Sequence, residues 1–128
     1  MIQNLSSEQI AGILETLPLD ISFVDEEDTV KYWNKHDTRS FKRPNSALGR
    51  KVQQCHLPAS VDMVNQIISV LKSGKKDFED FWIDLNDRKL YIRYMAVRGK
   101  EGKYLGTLEV NQDITDLKKI KGEKRQPE

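Results

Sequence analysis

Residues 81–115 read FWIDLNDRKLYIRYMAVRGKEGKYLGTLEVNQDIT. Phe81, Ile83 and Leu85 alternate with Trp82 and Asp84, the period of two that a strand with one buried face requires. Asn86-Asp87-Arg88 then supplies turn chemistry. Leu90, Ile92, Tyr94 and Ala96 alternate with Tyr91, Arg93, Met95 and Val97. Both sets are largely apolar, which predicts a central strand covered on both faces. Gly99-Lys100-Glu101-Gly102 predicts a second connection, after which Tyr104, Gly106, Leu108 and Val110 alternate with Leu105, Thr107, Glu109 and Asn111. Three antiparallel neighbours follow. Asp113 and Thr115 are both good helix N-caps, and Leu117, Ile120 and the lysines around them continue at helical spacing, so the sheet is expected to hand off to a helix.

Upstream, Ser6-Ser7-Glu8-Gln9 fits a capping box, and Ile10, Ile13, Leu14 and Leu17 make an apolar stripe that Pro18 ends. That stripe either covers the open face of the sheet or pairs with a second subunit. Ile21 to Val24 and Thr29 to Trp33 are expected strands around the polar turn Asp25-Glu26-Glu27-Asp28. Those acids lack the alternating ligands, central glycine and closing glutamate of a calcium loop, so the turn reads as solvated. The period is lost between Asn34 and Pro58. A helical stripe then returns at Val61, Val64, Ile67, Ile68 and Leu71, with Ser60 as the expected N-cap and Gly74 just past the end.

A chain of 128 residues with 38% hydrophobic content suits one core. Its 21 basic and 20 acidic residues leave +1, so no overall field favours nucleic acid or an anionic membrane. The basic run from Lys118 to Arg125 reads as a solvated element end. There is no signal-like start and no apolar run of membrane-spanning length, from which a cytoplasmic location is expected. A single cysteine forbids an internal disulfide and a cysteine-rich zinc site within one chain. No phosphate-binding loop, serine-hydrolase elbow, zinc-protease or kinase signature is present, and no enzyme is expected.

The element order with its Asp113-Ile114-Thr115 exit resembles the PAS family of sensory and interaction domains. More closely, the chain resembles the C-terminal PAS domain of bacterial proteins that carry a hemerythrin-like domain upstream. The residues behind this are Leu17 to Asp25, Gly49-Arg50-Lys51-Val52 with Cys55-His56, Phe81-Trp82-Ile83, Tyr91-Ile92-Arg93-Tyr94, Tyr104-Leu105-Gly106 and Gly122-Glu123-Lys124-Arg125. Leu57 departs from it where a second proline is usual. The resemblance implies an α/β (α+β) fold, a five-stranded antiparallel sheet with helices on one face. It divides the chain into a flanking helix at 1–18, a sensory domain at 19–115 and a helical or disordered tail at 116–128. It implies short helices walling a cavity between Asn34 and Pro58, and a non-catalytic module that binds a small ligand or senses redox state. A ligand-free homodimerisation module is one alternative, and a haem-linked gas or redox sensor is another.

Cys55-His56 is the most chemical pair in the chain: a thiolate or imidazole there is a candidate haem ligand, and Cys55 a candidate redox sensor. The plainer reading is a small apolar side chain beside an anchoring imidazole. Haem-binding PAS domains usually carry the axial histidine on the long helix, and no histidine lies between Val61 and Lys72. His36 sits in a polar stretch and reads as exposed. Trp33, Trp82, Tyr91, Tyr94 and Arg93 form a second group that suits a flat or anionic ligand, or else core and dimer surface. Arg93, in an apolar strand, needs a partner, with Asp113, Glu109 and a bound acid as candidates. Arg43 before Pro44 falls on the cavity wall that the resemblance implies. The expected ligand-binding set is therefore Trp33, Arg43, Cys55, His56, Arg93 and Tyr94, with Asp113 and Thr115 transmitting the signal.

Overall fold

The computed structural model describes residues 1–34 and 39–128. Its central element is a five-stranded antiparallel sheet of order β2-β1-β5-β4-β3, built from β1 (Asp20–Asp25), β2 (Val30–Trp33), β3 (Phe78–Leu85), β4 (Arg88–Arg98) and β5 (Tyr104–Asp113). The last three strands form a meander. Asn86 (φ 49°) and Asp87 (φ 62°) make the first turn, where short polar side chains tolerate the left-handed region. The chain's first strand then inserts on the far side of β5, so β5 lies centrally between β1 and β4.

Two α-helices flank the sheet. α1 (Ser7–Thr16) begins with the expected capping box: Gln9 N–H donates to Ser6 Oγ and Ser6 N–H to Gln9 Oε1. α2 (Pro58–Ser73) starts earlier than Ser60 suggests, because Pro58 is pre-set for the first helical turn and Leu57 takes the N-cap position. Gly74 ends it in the left-handed conformation (φ 80°), and the Arg98 guanidinium donates to the Leu71 carbonyl at 2.6 Å.

α2 packs against β4 and β5 with Ile67, Ile68 and Leu71 buried, and Leu90 and Ile92 of β4 are buried with them. Short 3-10 turns at Asn45–Ala47 and Val52–Cys55 complete the cover on this side. On the other face, α1 is tied down at the β2 edge, where Tyr32 donates to Glu15 at 2.9 Å. Burial and the Glu15 carboxylate push the Tyr32 phenol up to about 12, so it remains a donor. α1 itself buries no residue fully, and Ile13 stays half exposed.

Asn34 and Arg39 anchor the region where the period was lost. Asn34 is fully buried: its Oδ1 accepts from Ile21 N–H and from Arg39, and its Nδ2 donates to the Leu14 and Leu19 carbonyls. Arg39, also buried, donates to the carbonyls of Ile21, Asn34 and Phe41 and to Ser22 Oγ. Burial lowers the Arg39 pKa, opposed by the nearby Asp20 charge.

The expected helix after the sheet is not what forms. Beyond Asp113 the chain makes a turn and a short 3-10 segment, Leu117–Lys119, and then irregular structure. Leu117 and Ile120 are exposed, so no apolar stripe is buried to repay helix nucleation, and Gly122 adopts a left-handed φ of 68°.

Candidate functional site

A cavity of about 80 Å³ lies between the sheet and α2. β1 contributes Ser22 and Val24, β2 contributes Val30, β4 contributes Tyr94, and β5 contributes Thr107 and Glu109. Val64, Ile67 and Ile68 close it from α2, while Arg43, Ala47, Val52, Cys55 and His56 line it from the irregular region. Period-two alternation explains the selection from the sheet: Ser22 and Val24, or Thr107 and Glu109, point to one side together.

The walls divide by polarity. Val24, Val30, Val52, Val64, Ile67 and Ile68 are branched aliphatic groups. Among the polar ones, Arg43 Nη2 donates to Glu109 Oε2 at 2.6 Å and Arg43 Nε to Ser22 Oγ at 3.4 Å. Both members of the ion pair are partly buried, which strengthens the interaction and raises the cost of losing either partner. Burial, and then the charge of Glu109, holds the Tyr94 phenol well above its ordinary value, so it stays protonated. The edge of Tyr94 meets Phe81, with ring centroids 5.8 Å apart.

Cys55 and His56 stand at the mouth, both exposed. His56 Nδ1–H donates to the Val52 carbonyl at 2.9 Å, which fixes the tautomer and turns Nε2 into the acceptor. Cys55 Sγ lies 3.6 Å from the Lys51 carbonyl. A cavity of this volume does not admit a haem macrocycle beside His56 or Cys55, and among the described residues no cluster of three metal-ligating side chains occurs. His36 lies outside the described residues.

Of the six expected ligand-binding residues, the structure brings together Arg43, Cys55, His56 and Tyr94 around this cavity. Arg93 is elsewhere. It alternates with Tyr94 and therefore points from the opposite face, where Asp80 accepts from its Nε at 2.7 Å and its Nη2 at 3.0 Å. Its guanidinium carbon lies 4.2 Å from the centre of the Phe78 ring, and Tyr91 donates to Asp80 beside it. These bonds raise the Arg93 pKa and lower that of Asp80. The carboxylate partner that Arg93 requires is thus Asp80, in place of Asp113, Glu109 or a bound acid. Trp33 sits opposite Ser22 on β2 and is partly buried, but it does not line the cavity.

β5 runs from the cavity to the chain's exit. Glu109 and Asn111 share its cavity-side face, and Asp113 follows two residues later. Asp113 accepts from Arg88 Nε at 2.7 Å and from Thr115 N–H at 3.0 Å, and Thr115 Oγ1 accepts from Lys89 N–H at 2.7 Å. Ile114 N–H adds a bond to the Lys89 carbonyl. Arg88 also reaches Asp116. Arg88 and Thr115 together lower the Asp113 carboxyl to about 2. Asn111 is buried, with neither amide atom finding a partner among the described residues.

The model of the PAS domain family matches residues 10–115. The chain belongs to the PAS domain family. PAS domains are generally sensory, non-catalytic modules. The PAS fold here is similar to the crystal structure of a C-terminal domain from Streptococcus mutans, with 35% identity, 91% of each chain covered and a TM-score of 0.86. It is also similar to the PAS domain of BvgS from Bordetella pertussis, with 20% identity over 88% of this chain and 96% of that one and a TM-score of 0.64. A sensor histidine kinase structure from Vibrio cholerae shares the fold at 11% identity, covering 83% and 90% with a TM-score of 0.59. No curated protein matches the chain.

Proposed function

We propose that this PAS domain is a non-catalytic sensory module in which a small molecule occupies the cavity between the sheet and α2. Occupancy biases the Asp113–Thr115 exit. The observation that carries this is the placement of Glu109 and Asp113 on one strand: Glu109 lines the cavity and Asp113 forms the exit clamp with Arg88 and Thr115. A ligand that changes how Glu109 pairs with Arg43 therefore acts on the same strand that carries the exit clamp, on the same face as Asp113. The residue resemblance, including Cys55-His56 and the segment from Leu17 to Asp25, supports a hemerythrin-like domain upstream as the other partner in signalling. No helix of the described residues is long and apolar enough to cross a membrane.

Native mass spectrometry of freshly purified protein tests the reading. A reproducible small added mass that disappears on denaturation, and is absent from a cavity-filling Val64→Phe variant, is expected. Bare protein under every preparation sinks it.

A homodimerisation role is the second reading. Trp82 (65% exposed), Phe78 and Ile13 are large apolar side chains left exposed among the described residues. A dimer in sedimentation that Trp82→Glu dissociates supports this role, and a monomer at high concentration removes it.

A further inference from the structure

The polarity of the cavity walls narrows the class of molecule the cavity accepts, an inference that rests on the ligand-binding reading above. Arg43 and Glu109 are its two fully charged wall residues, and they touch each other. A ligand bearing a single carboxylate gains Arg43 but sets a second negative charge beside Glu109. One bearing a single ammonium gains Glu109 but is repelled by Arg43. A head group carrying both charges on a single carbon satisfies each wall residue with a charge-assisted bond and leaves the site electrically balanced. Tyr94, held protonated, and Ser22, both cross-strand neighbours of Glu109, add neutral hydroxyl partners beside the ion pair.

The remainder of the ligand faces branched aliphatic groups, among them Val24, Val64, Ile67 and Ile68. No polar side chain from α2 lines the cavity, so this end rewards an apolar tail by area removed from water. Size is set by the volume. A volume of about 80 Å³ admits only a small molecule. From these walls we infer that the cavity of this domain binds a small free α-amino acid with an aliphatic side chain, its carboxylate on Arg43 and its ammonium on Glu109.

The test is isothermal titration of the full chain, stripped of co-purified molecules, with L-leucine and L-valine. Two half-ligands are run beside them: 4-methylpentanoate, which lacks the ammonium, and 3-methylbutylamine, which lacks the carboxylate. Methyl NMR of Val64, Ile67 and Ile68 reports the site. An amino acid is expected to bind and shift those methyls, with each half-ligand at least about tenfold weaker. Glu109→Gln is expected to close the gap between leucine and 4-methylpentanoate; the half-ligand comparison on the unaltered chain stands even if that variant fails to fold. The inference is overturned if neither amino acid binds, if binding leaves the methyls unmoved, or if a half-ligand matches the amino acids. A half-ligand that shifts the methyls while the amino acids do not would remove the zwitterion and leave the cavity reading intact. An added native mass that none of these compounds displaces would do the same.

Discussion

Replacing Asn34 by alanine removes four side-chain hydrogen bonds, to Ile21 N–H, the Leu14 and Leu19 carbonyls and Arg39, from buried and partly buried partners. The expected loss is about 2–4 kcal/mol in chemical denaturation; a change within experimental error would contradict the role assigned to it. Gly106 is constrained in another way. A Cβ at this position would stand 2.3 Å from the Val24 carbonyl oxygen and 2.5 Å from the Phe23 ring. Gly106→Ala is therefore expected to cost at least about 2 kcal/mol by the same measurement, since backbone on the neighbouring strand must shift. Arg43 and Arg93 separate site from scaffold. Arg93→Ala leaves the cavity untouched and, because solvent screens the Arg93–Asp80 pair, is expected to change stability little. Arg43→Ala is expected to abolish the added mass seen in native spectra, whereas Arg93→Ala retains it. Sequence reading recognised that Arg93 needed a partner, but strand period alone does not say which face an apolar-flanked arginine takes. Asn34 and Arg39 carried no periodic signal at all, because their roles arise from contacts across the chain.

At the scale of elements, strand identity and pairing were legible because alternation and turn residues act locally: Asn86-Asp87 and Gly99 to Gly102 mark the two hairpins found. The capping box of α1 and the glycine that ends α2 were legible for the same reason. The tail was not. Helical spacing from Leu117 onward is real, but with no surface to bury its stripe the segment forms only a 3-10 turn. What holds the exit is the clamp of Asp113, Arg88 and Thr115. Its pH dependence has a definite sign. The folded Asp113 carboxyl titrates at about 2, below its ordinary value of 3.8, so its contribution to stability is fully present above about pH 4 and is lost as pH falls towards 2. The melting temperature of Asp113→Asn is therefore expected to fall below that of the unaltered chain at pH 6 and to converge with it near pH 2. A constant gap across that range would contradict the clamp.

For the molecule as a whole, the cavity could not be read from sequence residue by residue, because its walls come from β1, β2, β4, β5, α2 and two short turns that meet only on folding. Residue chemistry singled out Cys55, His56 and Tyr94, and the resemblance put Arg43 on a cavity wall; the fold gathers these four around one cavity, while the aliphatic lining was indistinguishable from ordinary core. The fold also sets a mechanical link, since β5 borders the cavity at Thr107 and Glu109 and ends at the Asp113 clamp. Hydrogen–deuterium exchange with mass readout, comparing the chain as purified with the chain stripped by unfolding and refolding, tests that link most directly. The expected result is a small mass lost on stripping, together with faster exchange at Lys89, Ile114 and Thr115, whose amides the clamp protects. Loss of the mass with unchanged exchange at these amides would contradict the account.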